Sequence, residues 1–250
     1  MVYFVGAGPG DVDLITVKGR KLLEKADVII YAGSLVSSEH LKFCREDAII
    51  IDSSRLTLEE IIEYIRKYDG EDKVIVRLHT GDPTIYGAIG EQMDQMDKLG
   101  IKYEIIPGVS SFTASCSVLK KEFTVPKISQ SIIITRLSGR TSVPESEDLE
   151  LLAKHKASMA IFLSVQDIDK VVEKLIKGYE DENVPVAVVY KATWKDEKII
   201  LGTLKDIAEK VKSVGINKTA QILVGEFLKK SSRSLLYSKN FSHGFREAKE

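Results

Sequence analysis

Short, continuously apolar runs alternate with stretches of helical periodicity through the N-terminal half of this chain, and that alternation restricts the fold more than any other feature. Val2–Val5, Val28–Tyr31, Ala48–Ile51, Lys73–Leu78 and Tyr103–Ile106 read as strands. Runs without a polar face suit a parallel sheet, which is covered on both sides. Between them, Leu14, Ile15, Val17, Leu22, Leu23 and Ala26 recur at helical spacing. Thr57-Leu58-Glu59-Glu60 matches a capping box ahead of Ile61, Ile62 and Ile65, and Pro83 to Leu99 reads as a further helix. The βαβα order predicts an α/β fold with a mostly parallel first sheet.

Around Lys120 to Gln130, with Pro126 inside it, the periodicity lapses. We read residues 1–119 as an N-terminal α/β domain, 120–130 as a linker, 131–228 as a C-terminal α/β domain and 229–250 as a tail. In the second domain, Ser131–Thr135, Met159–Leu163, Pro185–Tyr190, Lys198–Leu201 and Gln221–Val224 read as strands, and Ile168, Val171, Val172, Leu175 and Ile176 as a helical stripe. Lys191 to Glu197 is too short for a crossover helix, so the strands it joins should be antiparallel and the second sheet mixed. Thr203 to Asp206 resembles another helix cap, before Ile207, Ala208 and Val211. The tail holds six Lys or Arg against two Glu, and its Tyr237, Phe241 and Phe245 predict that it packs somewhere.

Bulk properties narrow the partners. The 250 residues suffice for one large or two small domains, and a net charge of −1 gives no overall field for nucleic acid or a membrane surface. No apolar run approaches the ~18 residues of a membrane span, and no secretory leader opens the chain, so a cytoplasmic protein is expected. Cys44 and Cys116 occur singly, and His40, His79, His155 and His243 show no paired spacing. Neither a disulfide framework nor a metal site is expected.

Three Gly-containing turns follow strands of the first sheet. Gly6-Ala7-Gly8-Pro9-Gly10-Asp11 begins like a dinucleotide loop, G-x-G-x-x-G, but Asp11 stands where the third glycine is required and Pro9 removes a donor. A carboxylate at the start of a helix would repel a phosphate, whereas a simple strand-to-helix turn with Asp11 or Asp13 as cap is compatible with it. Gly81-Asp82-Pro83-Thr84-Ile85-Tyr86-Gly87 is the second, with Asp82 placed to cap a helix and Pro83 at its first position. Pro107-Gly108-Val109-Ser110-Ser111 is the third. Open α/β sheets bind ligands at this carboxyl edge.

Taken together, Gly6–Asp11, Gly81-Asp82-Pro83 with Tyr86-Gly87, and Pro107–Ser111 resemble the tetrapyrrole methylases, over nearly the whole chain. The stretches Thr135-Arg136 with Gly139-Arg140-Thr141, Val143-Pro144-Glu145, Leu152–Lys156 and Val189–Trp194 resemble the members that methylate ring carbon 11 of precorrin-4, or of its cobalt form, in cobalamin synthesis. The resemblance implies a homodimer of two-domain subunits with an active site in the cleft between the domains, S-adenosylmethionine as cofactor, S-adenosylhomocysteine as product and a corrinoid tetrapyrrole as substrate. It carries cofactor contacts onto Gly81, Asp82, Ile85, Ser110, Ser111, Leu163, Ala192 and Ala220. The first loop, Gly8, Pro9, Gly10 and Asp11, would line the substrate trough, with Arg136 and Arg140 receiving substrate carboxylates and Arg77, Lys191 and Lys195 as weaker candidates. Asp11 is the candidate to assist loss of a proton from the macrocycle.

Overall fold

A computed structural model describes residues 1–70 and 73–248, so the last two residues of the expected tail, Lys249 and Glu250, lie outside it. The chain divides into two compact units, Met1–Ala114 with Lys191–Glu197, and Ser115–Tyr190 with Lys198–Glu250.

The first unit is built on β1 (Val2–Gly6), β2 (Val28–Tyr31), β3 (Ile49–Asp52), β4 (Ile75–His79) and β5 (Tyr103–Ile106), in the order β3-β2-β4-β1-β5 with every pairing parallel. Helices α1 (Val17–Leu23), α2 (Leu58–Tyr68) and α3 (Gly90–Leu99) connect them. Alternate strand residues serve opposite faces: Phe4, Ile30 and Ile75 pack with Ile61, Ile65 and Met96, while Val5, Ile29 and Leu78 pack with Ile15 and Leu23. That double cover explains the continuous apolar runs. The edge strand β3 departs from it, since Ile49 and Ile50 are solvent-exposed.

The capping box on α2 is complete. Thr57 Oγ1 accepts from the Glu60 amide, and Glu60 Oε2 accepts from the Thr57 amide at 2.7 Å. At α1 the cap is Thr16, whose Oγ1 accepts from Gly19; Asp11 instead caps a short 3₁₀ turn, Val12–Leu14, by accepting from Asp13. The helix expected over Pro83–Leu99 begins only at Gly90. Before it the backbone turns through left-handed residues, Tyr86 at φ 54° and Ala88 at φ 49°, which a right-handed helix excludes. Asp82 therefore caps a local turn rather than a helix.

In the second unit β6 (Ile132–Arg136), β7 (Ser158–Phe162), β8 (Pro185–Tyr190), β9 (Lys198–Thr203) and β10 (Ala220–Val224) run in the order β6-β7-β10-β8-β9. Only β6 and β7 are parallel, so the sheet is mixed. Helix α4 (Ser111–Val118) carries the chain from one unit to the other; α5 (Leu149–Ala153), α6 (Ile168–Tyr179) and α7 (Ile207–Ser213) complete the fold. The stripe on α6 buries Ile168, Val171 and Leu175 against Met159, Val186 and Ile222. The cap expected at Thr203 is reversed: Thr203 ends β9 and its amide donates to Asp206 Oδ1 at 2.8 Å, with α7 starting at Ile207. Tyr237, Phe241 and Phe245 are exposed, so the expected packing of the tail's rings is not met within the chain.

Leu175 is fully buried, so Leu175→Ala should lower the unfolding free energy by about 2–5 kcal/mol. Thr57→Ala, which removes one cap, should cost about 1 kcal/mol. Urea titration followed by circular dichroism checks the order; equal losses would contradict this account of what holds each unit.

Candidate functional site

The three glycine turns leave β4, β1 and β5, which are neighbours in the first sheet, and this adjacency brings them together at one carboxyl edge. The crossovers after β1 and β4 run in opposite directions, which makes the gap between these strands a topological switch point. Gly8 and Gly81 exchange backbone hydrogen bonds, Gly81 N–H to Gly8 carbonyl at 2.8 Å and the reverse at 3.3 Å. Both have positive φ, +80° and +61°, which a residue with a Cβ adopts only under strain. A Cβ on Gly108 would lie 2.1 Å from the Gly81 carbonyl oxygen, and one on Gly6 2.7 Å from Gly108 Cα. The turns meet backbone to backbone.

Asp82 fastens the assembly. Its Oδ1 accepts from the Thr84 amide at 2.8 Å and the Thr84 hydroxyl at 2.5 Å, and its Oδ2 accepts from the Gly108 amide at 3.0 Å. One carboxylate thus holds the second turn in shape and ties it to the third. Beyond it, Ser110 is buried at the start of α4, while Ser111 and Ile85 are partly exposed.

The segment Lys191–Glu197 belongs to the same unit and closes over the first turn. Trp194 Nε1 donates to the Pro9 carbonyl at 2.8 Å, and the Asp11 amide donates to Thr193 Oγ1 at 3.0 Å. A Cβ on Gly10 would fall 2.2 Å from the Trp194 ring, so the indole requires glycine there. The exposed Asp11 lines a cavity of about 630 Å3 with Tyr31, Ser37, Glu39 and Lys195. Lys195 pairs with Glu39 at 2.9 Å, which raises the lysine pKa and lowers that of the glutamate through their hydrogen bond. Lys191 pairs with Asp196 at 2.7 Å, so two weaker cationic candidates hold neighbouring acids. Ala192 in this segment is buried.

The remaining expected site residues lie in the second unit. Arg136, Arg140 and Leu163 line one cavity of about 650 Å3 with Gln166 and Lys170. Arg136 donates to the carbonyls of Thr141 and Ser142 at 2.9 and 2.7 Å, and so shapes the loop that carries the exposed Arg140. Leu163 follows β7 at φ 51° and is 61% exposed, an unusual state for a large apolar side chain. Ala220 opens β10.

Sequence reading offers Arg77 only as a weaker carboxylate candidate and His79 only as an unpaired histidine, and it does not join the two inside the first sheet. Arg77 and His79 on β4 are both buried, and they line a third cavity of about 320 Å3. Burial lowers the Arg77 pKa to about 10, and burial together with the Arg77 charge pushes His79 down to about 3. The signal was a cationic residue two places from a histidine in an otherwise apolar strand.

The model of the tetrapyrrole (corrin/porphyrin) methylases matches residues 1–208. The cobalt-precorrin-4 C(11)-methyltransferase of Methanocaldococcus jannaschii is 58% identical over 99% of this chain and 96% of its own. The precorrin-4 C(11)-methyltransferase of Pseudomonas aeruginosa is 44% identical over 98% of each. The crystal structure of a cobalt-precorrin-4 methyltransferase of cobalamin biosynthesis superposes with a TM-score of 0.89 at 46% identity, over 92% of this chain and 96% of that one.

The low His79 pKa has a consequence for stability. Between its value of about 3 in the fold and the ordinary 6.5, the unfolded chain binds a proton that the folded chain refuses, so the folded state loses stability as pH falls through that window. His79→Gln should remove this loss. The difference in slope between the two proteins should reach about 1.4 kcal/mol per pH unit below pH ~6. Parallel slopes in urea titrations at pH 6.5, 5.5 and 4.5 would contradict it.

Proposed function

Because the chain belongs to the tetrapyrrole (corrin/porphyrin) methylase family, we propose that it transfers a methyl group from S-adenosylmethionine to ring carbon 11 of cobalt-precorrin-4 or precorrin-4, a step of cobalamin biosynthesis. Identity of 58% along essentially the whole chain to a relative of that activity carries this reading. We favour the cobalt form, in keeping with that relative; the metal would arrive as part of the substrate. Incubation of the enzyme with each form and S-adenosylmethionine, without oxygen, should add one methyl by mass, faster for the cobalt form. No gain with either, alongside methylation of uroporphyrinogen-III, would sink the assignment.

When bound, the cofactor supplies a methyl on a sulfonium whose neutral thioether leaves without needing a proton. The protein's task is then positioning, in which alignment and exclusion of water can supply several kcal/mol of the barrier. This suits an edge built of rigid backbone turns. The fit to such a cofactor rests on the second and third turns: Gly81, Asp82 and Ile85 with Ser110 and Ser111 offer a carboxylate, two hydroxyls and an apolar side chain around backbone that no Cβ crowds at Gly81. Ala192, small and buried, suits a contact to the flat base. The first turn, Gly8 to Asp11, is assigned to the substrate, and Asp11, an exposed carboxylate, is the candidate acceptor of a proton from the macrocycle. Arg140 is the better candidate for a substrate carboxylate, since Arg136 is engaged with its own loop.

These roles separate by measurement. A carboxylate has about four acceptor sites, and Asp82 already uses three on Thr84 and Gly108. Asp82→Ala should therefore free the third turn and weaken S-adenosylhomocysteine binding at least ~10-fold in calorimetry, about 1.4 kcal/mol. Asp11→Ala should leave that affinity within about threefold and lower turnover by ~10² or more, the usual scale for a lost proton acceptor. Loss of cofactor affinity in Asp11→Ala with turnover intact would reverse the assignment of the two turns.

A further inference from the structure

A buried positive charge without a carboxylate is an unbalanced arrangement. Arg77 donates from Nε to Gln92 Oε1 at 3.3 Å and from Nη1 to the Ile30 carbonyl at 3.2 Å, both neutral acceptors. Among the described residues no acid pairs with it, and desolvation alone accounts for the shift in its pKa. Interiors usually hold an arginine against a carboxylate, because an uncompensated buried charge is costly. At about 10 its pKa still leaves it charged at neutral pH. The interior at this end of β4 therefore carries net positive charge.

His79 adds a second unmet requirement. Its ring packs against Phe4, centroids 5.8 Å apart, and its Nε2 is buried with no hydrogen-bond partner. Buried polar atoms are satisfied in the great majority of cases, so an orphan in a cavity wall calls for an explanation. Held neutral, the ring has one N–H to give, without bringing a second charge beside Arg77. The cavity that both line opens among Ala32, Leu35 and Ile85, and its volume of about 320 Å3 accommodates a short aliphatic chain ending in an acid. Tyr86 and Ala88, both in left-handed backbone, form part of the same wall; strain of that kind is kept where the surroundings hold it in place for a purpose. Glu91, also on the wall, is solvent-exposed and makes no ion pair with Arg77.

We propose that this cavity is a carboxylate-binding subsite, in which Arg77 supplies the charge and His79 an uncharged hydrogen bond to an acid group of one of the reaction's ligands. The inference rests on the methyltransferase reading above and deepens it. An acetate or propionate arm of the tetrapyrrole and the amino-acid carboxylate of the cofactor share this chemistry. Arg77 and His79 are specificity determinants in either case, acting by holding the ligand's acid group.

His79→Gln and Arg77→Gln test it, with His79→Gln carrying the weight if the second variant does not fold. If the tetrapyrrole provides the acid, KM for the macrocycle rises at least ~10-fold, with kcat within about threefold and S-adenosylhomocysteine affinity unchanged. If the cofactor provides it, S-adenosylhomocysteine affinity falls by a similar factor, while that of 5′-methylthioadenosine, which lacks the carboxylate, is unchanged. Folded variants that move neither quantity by more than about twofold overturn the proposal. Protection against thermal unfolding by sodium propionate, expected for the wild type and lost in His79→Gln, needs no turnover. It keeps the subsite testable should the wild type methylate no tetrapyrrole, an outcome that would defeat the functional reading instead; equal protection of both proteins, or of neither, then overturns the subsite.

Discussion

Everything at the carboxyl edge of the first sheet depends on three stretches of backbone lying closer together than side chains permit. The Gly81 carbonyl oxygen sits where Cβ atoms of Gly6 or Gly108 would have to be, and Gly8 and Gly81 are joined by a pair of main-chain hydrogen bonds. Main-chain packing of this kind has few rotatable bonds to adjust. Once β4, β1 and β5 are paired in register, the turns that leave them have little choice of position. Asp82 adds a charged hydrogen bond across the seam, stronger than a neutral one. An enzyme that works mainly by alignment gains from a platform whose precision comes from the sheet itself.

The polar interior beneath that platform has a different logic. Phe4, Ile75 and Ile65 give the layer between sheet and helices an ordinary apolar character, yet β4 ends in a charged and an orphaned polar side chain. Their cost is tolerable because it is confined to the last turn of the layer, where Gln92 and the Ile30 carbonyl relieve part of it. Stability and recognition are thus divided along one strand, apolar at its start and functional at its end.

How much of this could be seen in the residues alone depends on the range of the forces. The strands and the α2 cap were legible because period and capping chemistry are local, as with Ile61, Ile62 and Ile65 after Thr57. Pro83 to Leu99 was misread for the opposite reason: Asp82-Pro83 is good helix-opening chemistry, but Asp82 accepts from Gly108, which is distant in sequence. A tertiary bond overrode a local preference. Ile49 and Ile50 gave the pattern of a buried strand although β3 is an edge, since strand order is not written in any one strand. At the candidate site, the spacing of the glycine turns pointed to one edge of the sheet, where they do meet, but nothing in it revealed that Arg136 serves its own loop or that His79 lacks a partner.

Trp194 and Thr193 illustrate how chain order and spatial order diverge. Their hydrogen bonds to Pro9 and Asp11 span 185 and 182 positions of sequence. The first turn therefore cannot reach its final packing until most of the polypeptide exists, however early β1 pairs with its neighbours. Contacts of such separation are slow to form because the intervening chain must first be ordered. During synthesis, the newly made N-terminal unit would thus be a sheet with an unfinished edge. The packing of the first turn is completed late, once the segment carrying Thr193 and Trp194 has been made.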